Sequence, residues 1–336
     1  MDRLDGELLM ALQDDFPLGE RPYGVIAERV GSDEGTVFGR MERFVREGMV
    51  RRLGPRYDHR RLGLSSTLVA AEVGASRLEA VAGVVCQRSE VTHCYERAGG
   101  KYNLWFTVTT DSEDGVRKLV EELRGRTGIA AMHSLPAEKV YKLGVRFVPE
   151  CMRGRTAEGT RGRVGGSEGR VELSEVDWRI VGATRRGLPT VKEPYGEVAR
   201  GLGLTTGELI ERLEAMCASG VIRTMGVVLD GRRLGYRGNA LVAWGVTEEE
   251  CDRVGGIFSE FDEVSHGYRR PGLADFPYRL YTMVHGRDAL DREEIVGRMA
   301  VRSGVAERVV METRREFKKT TLAFSERGGS GAEGVR

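Results

Sequence analysis

Hydrophobic residues near the N-terminus recur every three or four positions, the spacing that places them on one face of a helix. This pattern predicts helices at residues 4–13, at about 25–30 and across 37–45. Ser32 is the predicted N-cap of the third helix, because its short side chain can accept a hydrogen bond from a backbone N–H. Gly48 is the predicted end of that helix, since glycine tolerates the left-handed backbone found there.

The next segment, residues 49–57, alternates apolar and polar positions, which predicts a wing hairpin. Two helices, a turn, a third helix and a wing together indicate a winged helix-turn-helix. Residues 176–235 repeat the pattern, with Thr205 as the predicted N-cap of the corresponding third helix.

After each winged helix, the alternation typical of half-buried strands returns, interrupted by two helical segments. In the first half, the predicted strands are 66–73, 91–98 and 102–109, and the predicted helices are 75–87 and 112–126. In the second half, the strands are 239–246, 264–270 and 278–285, and the helices are 248–259 and 288–302. A final strand completes each set and gives the ferredoxin-like order β-α-β-β-α-β. The predicted fold class is α+β, with a winged helix-turn-helix followed by a ferredoxin-like domain, both duplicated.

A segment rich in glycine and charge separates the two halves and predicts a flexible linker. The C-terminus is similar in composition and predicts a disordered tail. The predicted boundaries are 1–62 and 171–235 for the winged helices, 63–149 and 236–325 for the ferredoxin-like domains, 150–170 for the linker and 326–336 for the tail.

The duplication is also visible as short motifs that occur twice in the sequence. Pro22-Tyr23-Gly24 recurs 172 residues later as Pro194-Tyr195-Gly196, and Arg60-Arg61-Leu62-Gly63 recurs as Arg232-Arg233-Leu234-Gly235. A repeat this long exceeds the roughly 20–50 residues of a solenoid unit. We therefore expect the two halves to pair with each other in space.

The composition is that of an ordinary globular protein, with 40% hydrophobic and 31% charged residues in a chain of 336. No apolar run approaches the roughly 20 residues of a membrane span, and the N-terminus lacks the pattern of a signal peptide. We expect a cytoplasmic protein. Five cysteines occur without a Cys-x-x-Cys pair, so a zinc cluster is not predicted and the cysteines are expected to be reduced.

Two short polar patterns stand out on the predicted strands. His93, Tyr95 and Arg97 alternate along one strand and so share one face of it. The second copy carries the same types of side chain at His266, Tyr268 and Arg270. Such a face is either solvent-exposed or a site in which Arg binds a carboxylate, His transfers a proton and Tyr orients the ligand.

Further candidates distinguish the halves or surround the two patterns. His285 ends a second-half strand, and the first half has no histidine there. Basic and aromatic residues that could bind a multiply anionic ligand are Arg51, Arg52, Arg223, Lys142, Lys318, Tyr102 and Tyr278.

The winged helices suggest a DNA-binding regulator, but their recognition helices argue against one. They begin Ser32-Asp33-Glu34-Gly35 and Thr205-Thr206-Gly207-Glu208. Acidic side chains there would repel phosphates, and the net charge of +1 supplies no general attraction to nucleic acid. Nucleic acid is therefore not an expected partner.

The motifs resemble the siroheme decarboxylases, a branch of Lrp/AsnC-like proteins that usually consists of two homologous subunits. The first half resembles one subunit type through His93-Cys94-Tyr95-Glu96-Arg97 and Tyr102-Asn103-Leu104-Trp105. The second resembles the partner type through His266-Gly267-Tyr268-Arg269-Arg270 and Tyr281-Thr282-Met283-Val284-His285. This sequence departs from the usual pattern by joining both types in one chain.

The resemblance implies an enzyme that removes two acetate carboxyl groups from siroheme, giving didecarboxysiroheme for haem or nitrite-reductase haem synthesis. No separate cofactor is implied, because the siroheme iron belongs to the substrate. No membrane partner is expected. The two halves are expected to form an internal pseudo-dimer whose two sheets face each other across a pocket. Whether the fused chain also forms a homo-oligomer stays open.

The resemblance also suggests roles for the polar residues. Arg97 and Arg270 would hold carboxylates, and Tyr95 and Tyr268 would orient the reacting acetate. His93, His266 and His285 would donate protons, and His266 or His285 is a candidate axial ligand of the substrate iron. Two alternatives are an Lrp/AsnC-type regulator that senses a small ligand and a tetrapyrrole carrier without activity.

Overall fold

The computed structural model describes residues 1–144, 146–152 and 169–320. Most of the predicted linker at 150–170 and all of the predicted tail at 326–336 lie outside these residues. None of the described helices has both the length and the apolarity needed to cross a membrane. The chain divides into a helical unit, the described residues of Glu7–Leu62 and Gly169–Leu229, and a sheet unit, those of Met1–Gly6, Gly63–Glu168 and Asp230–Leu322.

The helical unit contains the two predicted helix-turn-helix domains. Its first-half elements are α1 (Arg3–Asp14), α2 (Pro22–Val30), α3 (Glu34–Arg46) and β1 (Val50–Tyr57). The second-half elements that match them are α6 (Glu175–Thr184), α7 (Pro194–Leu202), α8 (Thr206–Ala218) and β7 (Ile222–Leu229). The repeated Pro-Tyr-Gly has a structural role, since each proline opens a helix and each tyrosine ring lies near Phe16, at 5.4 Å for Tyr23 and 6.1 Å for Tyr195.

The predicted wing hairpin is wrong. Residues Val50–Tyr57 form one strand, and its partner is the equivalent strand of the other half, Ile222–Leu229, in antiparallel register. The alternation of side chains was interpreted correctly as a strand, but it does not say which segment supplies the hydrogen bonds. The expectation that the halves pair with each other is met here.

The N-cap of α8 is the residue predicted from the sequence, whereas the N-cap of α3 is a different residue from the one predicted. Thr205 accepts the N–H of Glu208, whose carboxylate in turn accepts the N–H of Thr205, forming a capping box. In α3 the N-cap is Asp33, one residue after the predicted Ser32, and its carboxylate accepts the N–H of Thr36.

We therefore expect Thr205→Ala to lower the free energy of unfolding of the helical unit by about 1 kcal/mol, the usual contribution of an N-cap. Ser32→Ala is the matched control and should change it by less than about 0.5 kcal/mol. Urea denaturation followed by circular dichroism measures both. Equal losses in the two variants would contradict the assigned caps.

The sheet unit contains both ferredoxin-like domains. Its first-half elements are β2 (Ser65–Ala71), α4 (Leu78–Cys86), β3 (Val91–Ala98), β4 (Leu104–Thr110), α5 (Glu113–Thr127), β5 (Met132–Pro136) and β6 (Lys139–Leu143). Its second-half elements are β8 (Gly238–Trp244), α9 (Cys251–Ser259), β9 (Val264–Arg269), β10 (Leu280–Gly286), α10 (Ala289–Ser303) and β11 (Arg308–Lys319). The described strands form one sheet of order β5-β2-β4-β3-β11-β8-β10-β9-β6.

The last strand of each half crosses to the other half. Residues 308–312 of β11 pair with β8, and residues 312–319 continue along β3 of the first half. In the same way β5 pairs with β2, and β6 pairs with β9 of the second half. Because only Ala137 and Glu138 separate β5 from β6, the two ends of the strand order must lie within about 11 Å of each other. The sheet therefore curves back on itself.

The helices cover the outer face of the sheet, and the inner face is filled from both halves. The inner core contains Tyr102, Trp105, Leu135, Phe276, Tyr281 and Met311, together with smaller residues. The prediction of two separate sheets facing each other across a pocket is therefore wrong in this region, because the sheet is continuous and aromatic side chains occupy the space between its halves.

Candidate active site

The His-Tyr-Arg residues of the first half form a column on the inner face of the sheet. Tyr95 lies opposite Trp105 of the inner core, whereas Cys94 points to the outer core beneath the helices. The His93 and Tyr95 ring centroids are 6.2 Å apart, and the Arg97 guanidinium lies 5.2 Å from the Tyr95 centroid. The first-half pattern is therefore a stacked column that continues the inner core.

The second half repeats this column closely. Tyr268 lies opposite Tyr281, another inner-core residue. The His266 and Tyr268 rings are stacked with centroids 6.1 Å apart, and the Arg270 guanidinium lies 4.7 Å from the Tyr268 centroid. Arg270 also donates a hydrogen bond to the carbonyl of Leu135, which belongs to the first half. Arg270 therefore also ties the two halves together.

Arg97 is a buried cation without an anionic partner among the described residues. It is only 7% exposed, and its guanidinium donates from Nη1 to Thr313 Oγ1 at 2.9 Å. Its Nε lies buried without an acceptor. Burial lowers the pKa of Arg97 to about 10. A charged group held in this way is prepared to receive an anion, because a carboxylate would supply the missing acceptor and charge.

A β-bulge places two successive side chains next to each other in the second half. The register of β9 against β10 shifts between Met283 and Val284, so that one extra β9 residue is accommodated. Ser265 Oγ then lies 2.7 Å from His266 Nδ1 and 2.7 Å from His285 Nε2. His285 Nδ1 lies 2.9 Å from Asn239 Oδ1. These contacts form a continuous chain of hydrogen bonds.

The donor and the acceptor of each hydrogen bond in this series follow from Asn239, the last residue of the series. Asn239 Nδ2 donates to the carbonyl of Tyr236 at 3.2 Å, which orients the amide so that Oδ1 is the acceptor. His285 must then carry its proton on Nδ1 and, as a neutral ring, accept from Ser265 at Nε2. The Ser265 oxygen accepts from Nδ1 of His266, which makes Nε2 the basic nitrogen of a neutral His266.

The surroundings of His285 keep it neutral. Burial, with the positive charges of Lys319 and Arg97 acting in the same direction, lowers the pKa of His285 to about 4. Arg97 lies on β3 and Lys319 on β11, so His285 senses charges carried by strands other than its sheet neighbours β8 and β9. Carboxylates bound at these cations would remove their effect and raise the pKa of His285.

The first half has a shorter version of the same chain. Thr92 Oγ1 lies 2.9 Å from His93 Nδ1, and the β3 register also shifts at this point. At the position of His285 the first half has Thr109, which donates to Ser66 at 3.0 Å. The two halves thus share the hydroxyl–histidine pair, and only the second extends it by another imidazole.

The other predicted ligand-binding residues of the sheet unit make contacts with the protein itself. Tyr102 is buried in the inner core and donates to Asp275 at 3.0 Å, and Tyr278 packs on Phe276. Lys142 donates to the carbonyl of Phe261 at 2.6 Å. Lys318 donates to the carbonyls of Cys86 at 2.8 Å and Arg88 at 2.7 Å. These two lysines bind backbone carbonyls at or just after the C-terminal ends of helices α9 and α4, which favours a structural role.

Arg51, Arg52 and Arg223 belong to the helical unit. Arg52 donates to the carbonyls of Pro55 and Arg185, and Arg223 donates to the carbonyl of Tyr57. Arg51 is exposed. Substrate binding by these three residues stays a prediction.

Ser265, Asn239 and Thr313 were not among the predicted site residues, although the sequence carries one signal for Ser265. A hydroxyl residue precedes the histidine in both copies, Thr92 before His93 and Ser265 before His266. Successive strand residues normally point to opposite faces, so only the bulge reveals that they bond to each other.

The chain matches two kinds of family model. The AsnC-like ligand binding domain matches residues 61–142 and 233–318, and the siroheme decarboxylase NirDL-like HTH domain matches residues 5–51 and 177–223. These matches agree with the predicted α+β fold of duplicated helix-turn-helix and ferredoxin-like domains.

Known proteins resemble the chain over its whole length and over its halves. A siroheme decarboxylase of Hydrogenobacter thermophilus is 32% identical over 95% of this chain and 94% of its own length. A siroheme decarboxylase alpha subunit of Nitratidesulfovibrio vulgaris is 39% identical over 44% of this chain and 82% of its own length. A crystal structure of the siroheme decarboxylase NirDL in co-complex with an iron-uroporphyrin III analogue is 30% identical, with a TM-score of 0.70 over 95% of this chain and 94% of that one.

Proposed function

This chain belongs to the siroheme decarboxylase family, and from that premise we propose that it removes two acetate carboxyl groups from siroheme to give didecarboxysiroheme. It would act as a carbon–carbon lyase of the carboxy-lyase class. The observation that carries the proposal is Arg97, a buried guanidinium on the inner face with no carboxylate partner among the described residues. Siroheme is a polycarboxylate, so its side chains offer the anion that Arg97 lacks.

The reaction requires binding, orientation and one proton for each acetate. The bond between the acetate CH2 carbon and its carboxylate breaks, and carbon dioxide leaves. The electron pair remains on the carbon, where the macrocycle can delocalise it, and a proton then completes the methyl group. The protein therefore contributes position and protonation, which are the roles of oriented cations and a general acid.

The two columns supply the binding groups. Arg97 and Arg270 hold substrate carboxylates, and Tyr95 and Tyr268, each close to the arginine of its own column, orient the acetate that reacts. The geometry supports this assignment for Arg97 more strongly, since Arg270 already donates to the Leu135 carbonyl.

The hydrogen-bonded chain of the second half supplies the proton. His266 Nδ1–H donates to Ser265 and Ser265 donates to neutral His285, so this chain holds His266 in the tautomer that takes up a proton from solvent at Nε2. His266 Nε2 would then donate it to the carbon. His93 lacks this extension, so we propose that the first half completes the binding site and the second half performs the protonation.

Anaerobic incubation with siroheme tests the function. We expect products lighter than siroheme by one and then two carbon dioxide units, detected by mass spectrometry. Siroheme that binds but keeps its mass would indicate a carrier. Unchanged siroheme together with salt-dependent binding to specific DNA would indicate a regulator. Either result would overturn the proposal.

A further inference from the structure

A segment that follows β6 of the first half lies over His285 of the second half. Phe147 in this segment is 7% exposed. The edge of one ring meets the face of the other, with Phe147 and His285 centroids 5.3 Å apart at 84°. The Phe147 ring also lies 4.8 Å from that of Tyr236, whose carbonyl orients Asn239. Phe147 thus contacts His285 and also packs against Tyr236, the residue that orients Asn239.

The segment is anchored at Val148, the residue that follows Phe147. The Tyr236 hydroxyl accepts the N–H of Val148 and donates to the Val148 carbonyl, both at 3.2 Å. Arg287 donates to the same carbonyl at 2.7 Å, and its guanidinium lies 3.9 Å from the Tyr236 ring centroid. Phe147 is therefore held by the backbone hydrogen bonds of Val148 as well as by the packing of its own ring.

The second repeat has space for this ring at a position where the first repeat carries a side chain. Gly231 corresponds to His59 at the repeat offset of 172 residues. A Cβ added at Gly231 would lie 2.6 Å from Phe147 Cζ, closer than any ordinary contact. The glycine is therefore required by the close approach of Phe147.

We propose that Phe147 is a positioning residue for the decarboxylation, which fixes the His285 ring against Asn239 and Ser265 and excludes water from it. The proposal rests on the proposed function and deepens it. It also gives the first half a direct role in the second-half proton chain. An aromatic face beside an imidazole removes room for water and restricts rotation of the ring, so the two hydrogen bonds of His285 keep their geometry.

Several charged groups also act on His285 and stay in place when Phe147 is changed. Lys319 and Arg97 face it from β11 and β3, and His266 reaches it through Ser265. Arg287 lies behind Tyr236. A titration of His285 in a Phe147 variant therefore reports the loss of the ring rather than a loss of charge.

The test uses the full chain with Phe147→Leu, Phe147→Ala and Gly231→Ala. Nuclear magnetic resonance of the substrate-free protein follows the imidazole signals with pH, and His285→Asn identifies the signal of His285. We expect the pKa of His285 to rise from about 4 toward its ordinary value near 6.5, further in Phe147→Ala than in Phe147→Leu. Gly231→Ala should move it in the same direction, because it displaces the ring from the other side.

Phe258→Leu is the matched control, since Phe258 is a buried ring packed 4.5 Å from Trp244 in the outer core. It should leave the pKa of His285 unchanged. For siroheme turnover we expect kcat to fall by about tenfold in Phe147→Ala with a smaller change in KM, as for a displaced catalytic group.

An unchanged pKa of His285 in all three variants would overturn the role of Phe147, even if turnover fell. Because the titration needs no substrate, this failure is distinct from that of the proposed function, which would appear as absent turnover in the wild-type protein.

Discussion

Replacing Arg97 with methionine is expected to remove most siroheme turnover while leaving the substrate-free protein at least as stable as the wild type. We expect the activity to fall because this buried guanidinium is the proposed carboxylate-binding group, and losing one partner of a buried charge pair costs about 2–5 kcal/mol. This corresponds to a decrease in kcat/KM of about 30-fold to about 4 × 10³-fold. Steady-state anaerobic assays measure it.

The free energy of unfolding of the substrate-free variant is expected to stay the same or to increase. Arg97 is buried without a described carboxylate partner, so its charge is a cost in the free protein. Apolar replacements of buried charges of this kind are often neutral or stabilising by about 1–4 kcal/mol. Arg314→Met, an exposed arginine on β11, is the matched control and should change neither quantity. A large loss of stability in Arg97→Met would show that Arg97 is structural and would contradict its assignment.

Replacing Arg270 with methionine provides the comparison between halves. Arg270 donates to the Leu135 carbonyl across the halves, so its loss leaves a buried acceptor without that donor. We expect this variant to lose stability as well as activity. The contrast between the two arginines separates carboxylate binding from the joining of the halves.

Replacing His266 with alanine is expected to lower kcat by about 10²- to 10⁴-fold, the usual contribution of a general acid. Ser265→Ala should have a smaller effect, since it interrupts the chain to His285 but leaves the His266 ring in place. Single-turnover measurements after anaerobic mixing isolate the chemical step from product release.

His93→Ala is the matched control for this prediction, because His93 has the same stacked position and the same bonded hydroxyl neighbour. We expect a smaller loss of kcat there. Equal losses would mean that both halves protonate, and unchanged turnover in both His266→Ala and His285→Ala would rule out the second-half site. If His266 instead ligates the siroheme iron, its loss would change the visible spectrum of the bound complex in His266→Ala but not in Ser265→Ala.

The sequence predicted the strands well because alternation of side chains is a local property. It placed His93, Tyr95 and Arg97 on one face, and they do form a column. It could not predict the pairing of β1 with β7, because a strand pattern is the same whether its partner is adjacent in sequence or in the other repeat. The charge of Lys142 and Lys318 predicted ligand binding, which stays a prediction, but it could not predict that both donate to backbone carbonyls.

The candidate site depended on features that composition and spacing do not contain. Glu96 is next to Arg97 in sequence, yet Glu96 pairs with Arg315 at 3.2 Å, so Arg97 has no carboxylate partner in the part of the chain that the structure describes. The chain from His266 to Asn239 exists because a bulge re-aims Ser265 and because β8, β9 and β10 are neighbours in the sheet. Such contacts follow from register, which a single sequence specifies only through the finished fold.

The most direct measurement of the central claim is the mass of siroheme after anaerobic incubation with the wild-type protein in deuterium oxide. The account predicts a product that has lost two carbon dioxide units and carries one deuteron in each new methyl group, because the carbon receives its proton from exchangeable groups of the protein. Siroheme recovered with its original mass, or decarboxylated product without deuterium, would contradict it.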